Sequence, residues 1–166
     1  GYGIKPDLPP NFSARHAWKP SKEESERNRR SVYIYAKRNL PYPLMKAFDL
    51  PDMHESCARR AETTIAPQAL TLLNSELVLG SAKSFAGLLL EQTTTDDLPK
   101  LIQQAYLRAF SRDPDEDEVI SAVEFINQQA QVIAKDHKTD AKTSLKAAFV
   151  DFCHALLNAN EFVYLE

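Results

Sequence analysis

The sequence predicts a mostly α-helical protein: a bundle of about four to six helices with an extended N-terminal arm and a short two-stranded ribbon. Three observations carry this. Apolar residues recur at helical spacing from Gln68 to Leu156. Prolines crowd the first third, which shows no sustained apolar period. One short run, Ser31 to Ala36, is β-branched and aromatic, as strands prefer. The expected division is 1–62 for arm, strand and polar loop, as part of a larger domain, and 63–166 for the helical bundle.

In chain order, Pro6, Pro9, Pro10 and Pro20 predict an extended arm, with Phe12 and Trp18 as anchors. Ser21 followed by Glu24 has capping-box spacing for a short polar helix. In the strand Ser31–Ala36, Val32, Ile34 and Ala36 share one face and Tyr33 and Tyr35 the other. Glu161 to Leu165 reads as extended, either as the ribbon partner of Val32 to Tyr35 or as a frayed tail. Pro41, Pro43 and Pro51 leave room for one short helix, Pro43 to Phe48.

Further on, Gln68 to Leu73 reads as helical with Pro67 in its first turn, and Glu76 to Glu91 follows after Asn74-Ser75. Asp97 to Phe110 repeats Leu98, Leu101, Ile102, Ala105 and Ala109. Asp113-Pro114-Asp115-Glu116 then predicts a helix start with Asp113 as cap, Pro114 in the first turn and Glu116 reaching back. Leu145, Phe149, Phe152 and Leu156 mark a last helix.

Composition sets bounds. Of 166 residues 43% are apolar, enough for an ordinary core, and the net charge is −3. That balance gives no general attraction to nucleic acid or anionic membranes, and no apolar run is long enough to span a bilayer. Two cysteines, Cys57 and Cys153, leave open one disulfide or two free thiols. With no CxxCH, the chain itself attaches no c-type haem. No G-x-S-x-G elbow occurs, and the four glycines are scattered, so neither an acyl-transfer nucleophile nor a phosphate cradle is signalled.

One stretch, Phe48 to Arg60, is too polar and irregular to be explained by packing. The candidate polar or binding cluster is Arg30, Asp49, Asp52, Glu55, Arg59, Arg60, Gln68 and Asn74, with no catalytic residue assigned. Asp49, Asp52 and His54 are weak candidate metal ligands, but their spacing matches no metal motif and a loop held by internal bonds is the favoured reading. The arginines suit an anion by their planar fork, or else an internal clamp of Arg30 or Arg60 on Asp49 or Asp52, which is favoured.

Several blocks carry a resemblance. Trp18-Lys19-Pro20, Arg29-Arg30-Ser31-Val32-Tyr33, Phe48-Asp49-Leu50-Pro51-Asp52, Ser56-Cys57-Ala58-Arg59-Arg60, Leu72-Leu73-Asn74 and the run Ala155 to Tyr164 stand in order along the chain. They resemble the C-terminal half of a planctomycete-specific domain of unknown function. The resemblance implies a larger exported polypeptide, periplasmic or extracellular. It implies the missing N-terminal part as partner, a redox partner domain, and a c-type haem elsewhere in the full-length protein. An accessory or structural role in a redox or polysaccharide-utilisation system follows, or alternatively half of a shared hydrolase or oxidoreductase site lined by Asp49 to Arg60. It supplies no catalytic residues. Two departures stand out: Ile65-Ala66-Pro67 replaces the family's Thr-Pro helix start, and His154 replaces a larger aromatic.

Overall fold

The computed structural model describes residues 3–8, 17–27, 29–54, 56–58, 66–93, 95 and 97–164. Phe12, Glu55, Arg59, Arg60, Thr63, Thr64 and Ile65 lie outside them. The described residues are mostly helical: α1 (Glu24–Arg27), a 3-10 turn (Ser31–Tyr33), α2 (Pro43–Ala47), α3 (Ala66–Leu73), α4 (Glu76–Gln92), α5 (Leu98–Phe110), α6 (Glu116–His137), α7 (Ala141–Leu157) and α8 (Asn160–Val163). None is long and apolar enough to cross a membrane. The chain divides into two compact units, Gly1–Thr71 and Leu72–Glu166.

In the first unit the arm is fastened by its own hydrogen bonds. Trp18 is buried, and its indole Nε1 donates to the Pro6 carbonyl at 2.8 Å, as a buried Trp requires. Ile4 is buried to 1% exposure and forms a parallel bridge with Ile34: its N–H donates to Tyr33 O and its carbonyl accepts from Tyr35 N–H, both at 2.7 Å. The expected ribbon is therefore corrected. Ser31–Tyr33 is a 3-10 turn, the residue beyond it pairs with the arm, and Asn160–Val163 is helical instead of extended. Only Ile34 of the run takes up an extended pairing, and its partner Ile4 is much nearer in sequence than the tail. Ser21 does not cap α1 either. Its main-chain N–H donates to Lys5 O and its hydroxyl accepts from Lys5 N–H, so it serves the arm.

The second unit is built around α7, which packs against α4, α5, α6 and α8. Its buried stripe, Ala148, Phe149, Phe152, Cys153 and Leu156, has helical spacing and meets Ala82, Ala86 and Leu89 of α4 together with Ile126 of α6 in one core. Small residues on α4 allow close approach. Among the described residues, no disulfide joins Cys57 to Cys153. Burial pushes the Cys153 thiol up to about 12, while Cys57 is exposed.

The start of α6 is displaced from the expected position. Asp115, not Asp113, is the N-cap, accepting from Glu118 N–H at 2.7 Å, and the Glu118 carboxylate accepts from Asp115 N–H at 2.9 Å. Asp113 instead accepts from Gln103 Nε2 at 2.8 Å. Beside this cap sits Arg112. Its guanidinium donates in pairs to Glu118 (2.8 and 2.7 Å) and Glu161 (2.7 and 2.8 Å), with a further bond to Asp113 O at 3.2 Å. It also lies over the rings of Tyr106 and Phe110, 5.3 and 5.6 Å from their centroids. One side chain thus ties the end of α5, the start of α6 and α8 together.

The pairing holds the Glu118 carboxyl down at about 2 and the Glu161 carboxyl below its ordinary range. Both are lowered in the folded state, so their contribution is complete above the ordinary carboxyl value of 4.5 and is lost as pH falls toward about 2. Thermal unfolding followed by far-UV circular dichroism is expected to weaken through that window. Arg112→Met should lower the midpoint at neutral pH by a few degrees and flatten the acid limb. Arg112→Lys should recover little, because an ammonium cannot form two forks. Iodoacetamide applied to the native protein is expected to alkylate Cys57 and to reach Cys153 only on unfolding.

Candidate functional site

The first unit carries a groove of about 330 Å³. One wall is the turn after the 3-10 segment. Leu40 N–H donates to Lys37 O at 2.9 Å, closing the turn, and buried Leu40 anchors it. Arg38, Asn39 and Pro41 are presented from this turn to the groove. The other wall is the end of α2 and the chain that follows, contributing Lys46, Leu50, Pro51, Asp52, Met53 and His54.

The geometry of the second wall follows from how α2 stops. Asp49 has φ 56°, in the left-handed region that favours glycine. The N–H of Leu50 donates back to Met45 O at 3.1 Å, the six-to-one bond that closes a Schellman turn. Pro51 then prevents continuation of the helix. An aspartate tolerates this conformation better than most side chains, though at a cost. What the carboxylate supplies is a partner for Gln68: Nε2 of that amide, buried on α3, approaches Asp49 Oδ2 at 3.5 Å. Beyond Pro51, Asp52 Oδ1 accepts from His54 N–H at 2.9 Å, an Asx turn that sets the direction of the loop.

Of the residues singled out in the sequence, Asp49 meets Gln68, and Asp52 and His54 line the groove. Arg30 is not brought in. It is exposed, and its carbonyl accepts from Tyr33 N–H at 2.9 Å at the start of the 3-10 turn. Among the described residues no ion pair joins Arg30 to Asp49 or Asp52, so the Arg30 half of the expected clamp is corrected; the Arg60 half lies outside the described residues, and Asp49 accepts from the amide of Gln68. Asn74 stands at the end of α3, in the second unit. Among the described residues no three His, Cys, Asp or Glu side chains converge as a metal cage. Sequence reasoning missed Asn39, Lys46 and Met53. Lys46 could have been found from its place in the last turn of α2, beside the acidic stretch.

A family model described as "PSD1: Protein of unknown function (DUF1553)" matches residues 1–126. The chain belongs to this family. The match takes in all of the first unit and ends inside α6, short of the run Ala155 to Tyr164. No curated protein and no solved structure matches the chain significantly. The family brings no assigned chemistry, and the groove must be read from its own residues.

The left-handed turn at Asp49 gives a direct test. Asp49→Ala removes the Gln68 partner and places a less tolerant residue at positive φ, and is expected to cost about 1–2 kcal/mol. Asp49→Gly removes the partner but relieves the backbone, and should lie between the two. Urea unfolding read by Trp18 fluorescence reports on this unit, since Trp18 is the one tryptophan.

Proposed function

We propose that this chain is an accessory or structural module of a larger exported bacterial protein, and that its first unit docks on the part of that polypeptide which precedes it. The observation that carries this is a band of large side chains left outside the core: Val32 at 78% exposure, with Tyr33 and Tyr35 close by in sequence. Single exposed apolar residues are ordinary. Three within four positions, on a segment fixed by the Ile4–Ile34 bridge, form a patch. Cations frame it: Arg29 lies 4.1 Å over the Tyr33 ring and Lys5 lies 5.5 Å over Tyr35. Aromatic and arginine side chains of this kind are enriched where protein surfaces meet. Trp18, expected as an anchor of the arm, is buried within its own unit and is no part of this patch.

The wider setting rests on the resemblance: a planctomycete-type exported protein, with c-type haem in another of its domains, serving redox chemistry or polysaccharide use. A second reading has one observation in its favour, the strained Asp49 turn beside the groove. In that reading the loop Asp49 to Arg60 is half of a hydrolase or oxidoreductase site completed by another domain.

Hydrogen exchange separates the two. In the intact polypeptide, amides 31–35 should exchange at least about tenfold more slowly than in this chain alone. Equal rates would remove the docking role. Asp49→Asn and Asp52→Asn in the intact polypeptide should leave any turnover unchanged under the first reading and lower it under the second.

A further inference from the structure

We propose that the groove between the Lys37–Leu40 turn and the end of α2 is a binding site for a small organic oxyanion, a carboxylate or phosphate ester carried on a flat apolar body. The inference is independent of the docking role proposed above.

Charge is the first argument. Arg38 and Lys46 bring two permanent cations to the groove from two separate segments of the chain. Neither forms an ion pair with a described residue, although acidic residues outnumber basic ones, 23 to 20. The acid that the groove does contain, Asp52, has one carboxylate oxygen occupied by His54 N–H. The described lining is therefore net positive on an acidic protein, which focuses field on the groove. Asn39 adds an amide and His54 an imidazole, both able to donate hydrogen bonds.

The rest of the lining sets the body of the ligand. Pro41, Leu50, Pro51 and Met53 are apolar, and the prolines present rigid faces. A bare inorganic ion would leave these surfaces uncovered. The volume, about 330 Å³, falls at the lower end for small-molecule sites, about 300–1,000 Å³. Both segments are set in advance by main-chain bonds, Leu40 to Lys37 and Leu50 to Met45, so the ordering cost of binding falls on the side chains and not on the backbone.

Amide NMR titration of the full chain tests this, with phenyl phosphate and benzoate as probes, phenol as the neutral control and inorganic phosphate as the bare ion. Saturable shifts are expected at residues 38–54 with phenyl phosphate or benzoate, whichever binds more tightly naming the acid. Phenol should give none, and inorganic phosphate should bind more weakly than its phenyl ester. Arg38→Ala and Lys46→Ala, both at exposed positions, should each weaken binding about fivefold. Asp52→Asn keeps the Asx turn and removes the negative charge, so it should tighten binding. Absence of saturable shifts with both organic anions would overturn the proposal, as would unchanged affinity in Arg38→Ala or weaker affinity in Asp52→Asn.

Discussion

All five N–H groups of the Arg112 guanidinium are committed, four to two carboxylates and one shared with a carbonyl through the same fork. Surface ion pairs contribute little as a rule, because two long side chains must be held still in a high dielectric. This one differs in geometry. Glu161 is engaged side-on, through Nε and one terminal nitrogen, and Glu118 end-on, through both terminal nitrogens; Glu118 is already held by the α6 capping box, and the guanidinium face is backed by Tyr106 and Phe110. The ordering that a lone pair would require is shared among contacts that exist anyway. The direction α6 takes from α5, and with it the side of α6 that meets α7, depends on this junction.

The first unit solves a different problem. It has little regular structure to satisfy its backbone, so buried side chains and main-chain bonds do the fixing one at a time: Trp18 on Pro6, Ile4 on Ile34, Ser21 on Lys5. Such a scaffold leaves polar side chains over, and those of Arg38, Lys46, Asp52 and His54 come together around the groove. The irregular third is thus where chemistry can be placed, while the helical unit behind it is accounted for by its core.

Legibility in the sequence follows the same line. The long helices were readable because each repeats apolar residues over several turns, and α5 and α7 begin at aspartates whose carboxylates accept from the first turn, Asp97 from Lys100 and Asp140 from Thr143. Helix ends were harder. Asp49, Ser111 and Lys138 all adopt left-handed conformations without being glycine, so the usual stop signal was missing. The α6 start slipped by two residues because Asp113 and Asp115 both suit a cap, and Arg112 with Glu118 decides between them through space. At the site, Asp49, Asp52 and Gln68 were picked out by their polarity, but their roles were not. The fold joins Lys46 to the groove through a turn whose conformation no local pattern announces.

The two carboxylates on Arg112 lie at very different distances along the chain. Glu118 is 6 residues away and Glu161 is 49. Closing the first loop loses little chain entropy and belongs to the α5–α6 corner itself; closing the second, with the longer intervening chain, carries the larger entropic cost. The two halves of the clasp therefore differ in what they report: the Glu118 half is local to one corner, whereas the Glu161 half spans α6 and α7 and ties their packing to the position of α8.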